Sequence, residues 1–234
     1  MSLIDCRIEQ STGRITLRRP EALNALTHEM CERLEATLVD WKNDKKVSQV
    51  IIDAEGEKAF CAGGDIAKLY HKGRAGDFTD VQAFWREEYR LNSLIHHYPK
   101  PYIGFLQGYV MGGGVGISCH GSHRIVGNTT QMAMPECAIG LVPDVGGSYL
   151  LARAPGLTGR FLGITGYRMN AADALHAGFA DSFIAEDRWS KVIEELVSAG
   201  TPDPLSSFID NAGHSQLAKM QIEIDRMFTH FDSD

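Results

Sequence analysis

Apolar positions along this chain change their period repeatedly, and each change marks an expected element. Met30, Leu34, Leu38 and Trp41 recur at three- and four-residue spacing, which lines one face of a helix. Thr27 stands where an N-cap is needed, with Glu29 placed to meet the positive helix end. Shorter apolar runs predict strands: Ile15–Leu17, closed by Arg18-Arg19-Pro20, then Val50–Ile52 and Tyr102–Leu106. From Val81 to His97 the pattern is helical again, with Phe84, Trp85, Leu91 and Ile95 apolar, and Lys100-Pro101 breaks it.

Beyond that break, Arg124–Val126 and Gln131–Ala133 predict short strands, and helical segments surround Tyr149–Ala152, Gly159–Ile164 and Ala171–Ala177. Phe183-Ile184 reads as a strand and Trp189–Val197 as a helix carrying Val192, Ile193 and Leu196. After Gly200 the chain is more polar, with Pro202 and Pro204, before an amphipathic stretch through Leu217, Met220, Ile224 and Met227. Strands alternating with helices predict an α/β layered domain, and 234 residues suit one hydrophobic core.

Two segments share a design. Phe60-Cys61-Ala62-Gly63-Gly64-Asp65 follows the strand Val50–Ala54 and enters an expected helix at Ile66–Tyr70. Gly108–Gly114 follows the strand Tyr102–Leu106 and enters one at Val115–His120. Helix N-termini carry unpaired N–H groups and partial positive charge, and glycine lets a ligand come close to the backbone. Two such amides converging from separate loops would suit an oxygen that gains negative charge. The plainer alternative is tight turns and close packing. No GxxxxGK[ST] occurs, and Gly112–Gly116 lacks the spacing of a dinucleotide fingerprint.

Glu136, in Met134-Pro135-Glu136, and Asp144, in Val142-Pro143-Asp144-Val145-Gly146-Gly147, lie in an apolar, Gly/Pro-punctuated stretch. A carboxylate in apolar surroundings is costly to ionise, which suits acid–base work. The alternatives are a helix cap for Asp144 and a structural ion pair for Glu136. Arg86-Glu87-Glu88-Tyr89-Arg90 has the look of a solvated helical face with local ion pairs. His96-His97 and His120-Gly121-Ser122-His123 lack a third ligand at metal-site spacing, so no metal is expected. Cys61 and Cys119 stand near the glycine loops without a local His or Asn partner, which leaves a thiol nucleophile weakly supported.

Composition narrows the function classes. A net charge of −7 argues against a protein that grips nucleic-acid backbones. Five scattered cysteines without a CxxC pair predict reduced thiols in a cytosol-like compartment. The opening Met1-Ser2-Leu3-Ile4-Asp5 is too short and too acidic for a targeting peptide, and no apolar run approaches a bilayer's thickness. A cytoplasmic protein without membrane association is expected.

Ala22-Leu23-Asn24-Ala25-Leu26, Ala59–Asp65, Gly108–Gly114 and Met134–Gly147 together resemble, in order, the pattern of the crotonase (enoyl-CoA hydratase/isomerase) superfamily. The resemblance implies a spiral of ββα units with a helical C-terminal part, here a core over residues 1–185 and a helical region over 186–234. It implies an oxyanion hole from the amides of Gly64 and Gly113. It also implies coenzyme A lying along Ala22, Leu23, Ala25, Ala62, Gly64 and Asp65, with the adenine near Ala62. Hydratases of the family carry a second glutamate shortly after the glycine triplet, where this chain has Gly116, and Asp144 replaces their usual glycine. That combination, with Phe84–Asn92, resembles the branch that hydrolyses 3-hydroxyisobutyryl-CoA in valine degradation, whose members usually extend well past the position of Asp234. There the residues matching Glu88, Gly113, Glu136 and Asp144 line the acyl pocket. The implied catalytic pair is Glu136 and Asp144, with coenzyme A as part of the substrate, no separate cofactor and a possible homo-oligomer. In a eukaryote the implied compartment is the mitochondrial matrix. An enoyl-CoA isomerase or hydratase and a catalytically silent CoA-binding module remain the alternatives.

Overall fold

Strands β1 (Ile4–Glu9) and β2 (Thr12–Leu17) form an antiparallel hairpin, turning through Gln10 at φ 54°. The computed structural model describes residues 2–229. Helix α1 (His28–Asn43) follows, and the Thr27 side chain accepts a hydrogen bond from the Met30 amide at 3.2 Å, the cap that the sequence predicts. Its Trp41 ring lies flat against Gly13 of β2, where a side chain would collide.

Next come β3 (Gln49–Ala54), β4 (Ala59–Cys61), α2 (Ile66–Arg74) and α3 (Phe78–His96). A second turn of the same plan gives β5 (Tyr102–Leu106), β6 (Tyr109–Met111) and α4 (Gly113–Ser118). The third gives β7 (His123–Val126), β8 (Gln131–Ala133) and a 3₁₀ turn over Glu136–Ile139. Helices α5 (Gly147–Leu151), α6 (Thr158–Thr165) and α7 (Ala171–His176) lead to β9 (Ser182–Phe183), α8 (Trp189–Ala199) and α9 (Gln216–Phe228).

Strands β1-β2-β3-β5-β7-β9 form one sheet in that order, parallel beyond the first pair, while β4-β6-β8 form a second, parallel sheet. Each unit therefore places a long strand in the first sheet and a short one in the second before returning through a helix or 3₁₀ turn. This is the spiral of ββα units expected from the sequence.

Burial on both faces explains why β3 reads as a continuous apolar run. Val50 and Ile52 join the large cluster that includes Leu34 and Leu38 of α1, whereas Ile51 packs with Ile103, Phe105 and the α8 residues Val192 and Leu196. Leu217, Ile224 and Phe228 of α9 belong to the large cluster too.

Several expectations need correction. The two glycine-rich segments do not run directly from the long strands into helices: β4 and β6 intervene. Helix α4 begins on the glycines themselves, two residues before the expected start, and α2 and α3 extend to Arg74 and back to Phe78. Strand β1 had no expected counterpart.

Candidate active site

The segment 22–26 runs beside the first glycine-rich loop. Leu23 and Asn24 both take φ 52°, a bend that the Asn24 side chain holds by accepting from the Arg19 amide and donating to the Glu55 and Ala59 carbonyls. The bend lays Leu26 beside Gly64 as an isolated bridge. The Leu26 amide donates to the Gly63 carbonyl at 2.8 Å, the Asp65 amide to Leu26, and the Ala62 amide to Leu23. Arg19 ties the two strips together through Asp65 and the Ala25 carbonyl. Of the residues expected along coenzyme A, Leu23 meets Ala62 directly, and Gly64 and Asp65 lie beside Leu26. Asp65 also caps α2, which with Arg19 keeps its carboxyl below the ordinary range although burial opposes that.

Gly64 and Gly113 approach each other beside this seam. Gly64 lies just before α2, Gly113 is the first residue of α4, and neither N–H donates to any group among the described residues. A methyl group placed on Gly113 would stand 3.3 Å from the Gly64 nitrogen. Distant turns therefore bring the two glycines to one place, and Gly112 makes the turn at φ 47°.

Three carboxylates surround that point. A cleft is lined by Gly64, Gly113, Glu88, Glu136 and Asp144, with Phe84, Trp85 and Leu141 among its apolar walls. Lysine and arginine are missing from its described lining. Glu88 is 2% exposed with Oε1 unpartnered; burial first, then the Asp144 and Glu136 charges, push it up to about 8. Glu136 is buried beside Gly112, and its Oε2 also lacks a partner. Burial raises it to about 7, with its own backbone amide opposing and Asp144 adding. An acid of that strength is divided between proton donor and acceptor near neutrality.

The plainer readings of these acids do not survive. Glu136 forms no ion pair among the described residues. Asp144 does not cap α5, whose start has no side-chain cap; its Oδ2 accepts from the Tyr89 hydroxyl at 2.6 Å. Within the acidic cluster of α3, Glu87 pairs with Arg90 on the surface while Glu88 points inward. Tyr89 and Asn92 escaped the sequence reading, although both belong to the segment quoted for Glu88. Asn92 is 4% exposed with both amide atoms unpartnered. A side chain on Gly116 would meet Val145 Cβ at 2.7 Å and Asn92 Nδ2 at 2.8 Å.

Other candidates stay apart from this chemistry. Cys61 and Cys119 are buried, and burial raises both thiols, to about 12 and about 11. His120 is held by the Val145 carbonyl, and burial lowers its pKa. Among the described residues no three His, Cys, Asp and Glu side chains gather as a metal site, and no helix is long and apolar enough to cross a membrane.

Comparison with known proteins agrees with this architecture. Residues 12–233 match the family described as enoyl-CoA hydratase/isomerase. The mitochondrial 3-hydroxyisobutyryl-CoA hydrolase of Danio rerio is 46% identical over 190 residues, covering 81% of this chain and 50% of its own length. The human protein of that name is 41% identical over 202 residues, covering 86% and 52%. The chain thus spans about half the length of the curated relatives it matches. Among solved structures, an enoyl-CoA hydratase from Rhodobacter sphaeroides superposes with TM-score 0.93 at 52% identity, covering 97% of this chain and 66% of its own. A carnitinyl-CoA dehydratase from Mycobacterium thermoresistibile gives 0.95 at 41%, covering 98% and 67%.

Proposed function

This chain belongs to the enoyl-CoA hydratase/isomerase family, and from that premise we propose that it hydrolyses a short 3-hydroxyacyl-CoA thioester of the 3-hydroxyisobutyryl-CoA type. The thioester carbonyl enters between the Gly64 and Gly113 amides, which stabilise its developing negative charge. Glu136 delivers the oxygen, either from its own carboxylate as a mixed anhydride or through a water it deprotonates. Glu88 orients the substrate hydroxyl, and Asp144 serves the water or the departing thiolate. Coenzyme A lies along Ala22, Leu23, Ala25, Ala62, Gly64 and Asp65. These steps use backbone amides and carboxylates alone, with coenzyme A as part of the substrate. The same reading assigns the chemistry to residues 1–185 and gives 186–234 a covering role, in a possible homo-oligomer. It locates the protein in the cytoplasm, or in the mitochondrial matrix of a eukaryotic host.

The observation that carries hydrolysis over hydration is the crowding around Gly116. Hydratases of this family place a second glutamate there, and here Val145 and Asn92 occupy the space such a side chain needs. Two-glutamate water addition has no room. Released thiol measured on 3-hydroxyisobutyryl-CoA, with crotonyl-CoA as control, tests this directly. Thiol release from the first without hydration of the second is expected; hydration of crotonyl-CoA without thiol release refutes the assignment.

The amide pair makes its own prediction. Alanine at Gly113 would set a methyl group where the carbonyl oxygen belongs, 3.3 Å from the Gly64 nitrogen and against Glu88. Gly113→Ala is expected to lower kcat by about 10²-fold, the usual scale for spoiling one oxyanion donor. A stopped assay on folded variant checks it, and a kcat within threefold of the parent would remove Gly113 from the chemistry.

A further inference from the structure

The cleft holds three carboxylates and no described cation, so something else must decide which of them carries charge. Like charges at close range do not all ionise together. Asp144 differs from Glu88 and Glu136 in having a hydroxyl donor: Tyr89 Oη reaches its Oδ2 at 2.6 Å, whereas Glu88 Oε1 and Glu136 Oε2 are buried without partners. The backbone around Asp144 is fixed separately. The Gly147 amide donates to the Asp144 carbonyl at 2.6 Å, and His120 Nε2 lies 2.8 Å from the carbonyl of Val145, which is bent at φ 46°. With the main chain pinned, the Tyr89 hydroxyl sets the carboxylate's orientation. Tyr89 also lines a neighbouring cavity together with Asn92, His96, His120 and Tyr149.

We propose that Tyr89 is a positioning residue that holds Asp144 as the hydrogen-bond acceptor of the cleft, so that Asp144 orients the attacking water and does not protonate the departing thiolate. This rests on the hydrolytic reading above and selects one of the two roles left open there. On the water route the balance closes without a further group. The water O–H bond breaks as its oxygen joins the thioester carbon, and Glu136 takes the proton. The C–S bond then breaks with its electron pair on sulfur, and Glu136 returns the proton to the thiolate. The titratable groups facing Asp144 are Tyr89 and Glu88 from α3 and Glu136 from the 3₁₀ turn, and Glu88 and Glu136 both feel its charge.

Tyr89→Phe removes only the hydroxyl from a ring that is 42% exposed, so the fold should be retained. Carboxyl ¹³C NMR of Asp-labelled protein, which needs no substrate, should show the Asp144 carboxyl resonance displaced at fixed pH when the hydroxyl is removed. Kinetically, Tyr89→Phe should lower kcat about tenfold with little change in KM, and should cost nothing further in an Asp144→Asn background. An Asp144 resonance that does not move, or a Tyr89→Phe loss that adds in full to Asp144→Asn, overturns the proposal. A parent protein that releases no thiol from any 3-hydroxyacyl-CoA would refute the hydrolytic reading instead, and the resonance comparison would still decide whether Tyr89 governs Asp144.

Discussion

Glu136→Gln should lower kcat for thiol release by about 10⁴-fold with KM nearly unchanged, the upper range for losing a positioned acid–base group. Glutamine keeps the volume beside Gly112 and the neutrality of the protonated acid, so neither packing nor thioester binding has reason to change. What disappears is the ability to accept a proton or to attack. The parent's pH profile should carry the same signature. Burial lifts Glu136 to about 7, and the group must be ionised to act, so the rate should fall as pH drops through about 7. A single turnover in H₂¹⁸O followed by mass analysis of the peptide around Glu136 then tests the covalent route. Label in Glu136 marks an anhydride opened at the glutamyl carbon, and label in the product acid alone excludes that route. Activity within tenfold of the parent in Glu136→Gln would move the chemistry to another group.

What could be read from the sequence, and what could not, divides along a physical line. Helix α1 was legible because Thr27, Leu34 and Leu38 lie within a few turns of one another and the period of 3.6 shows itself locally. The glycine segments were legible as motifs because their backbone demands are local too. Strands β4 and β6 were not, since three residues are too few to display a period of two, and their pairing partners lie dozens of residues away. The same limit hid the carboxylate cluster. Glu88, Glu136 and Asp144 stand on three separate elements, and only the packing of α3 across α4 brings them together. Glu88 looked like part of a solvated face because its neighbours Glu87 and Arg90 are one. Asp144 looked like a cap because it precedes Gly146-Gly147, yet the capped-looking helix starts without it and Tyr89, 55 residues earlier, takes the carboxylate. Gly116 is the reverse case: the sequence showed that a glutamate was missing, and only the neighbours Val145 and Asn92 show why none could be accommodated.

The second large effect concerns stability. Glu88 is 2% exposed in an apolar wall, and burial, with the charges of Asp144 and Glu136, raises it from an ordinary 4.5 to about 8. A raised acid binds its proton more tightly in the folded chain than in the unfolded one, so stability falls as pH rises between those two values. Below about pH 4 both states hold the proton and nothing is lost; above about pH 8 the loss is complete. At 1.36 kcal/mol per unit, the full loss is about 5 kcal/mol. Glu88→Gln keeps the shape and abolishes the titration. Urea unfolding of parent and variant at pH 5, 7 and 9 should therefore show a gap that opens with pH in the variant's favour, approaching that figure at pH 9. A gap that stays constant across the three conditions would mean that Glu88 is solvated or paired in the folded protein. The same carboxyl is the group proposed to grip the substrate hydroxyl, and as a neutral acid at pH 7 it does so as donor and acceptor together. The fold thus carries an unfavourable burial at this position that grows with pH, and on the hydrolytic proposal the protonated carboxyl is the form that meets the substrate.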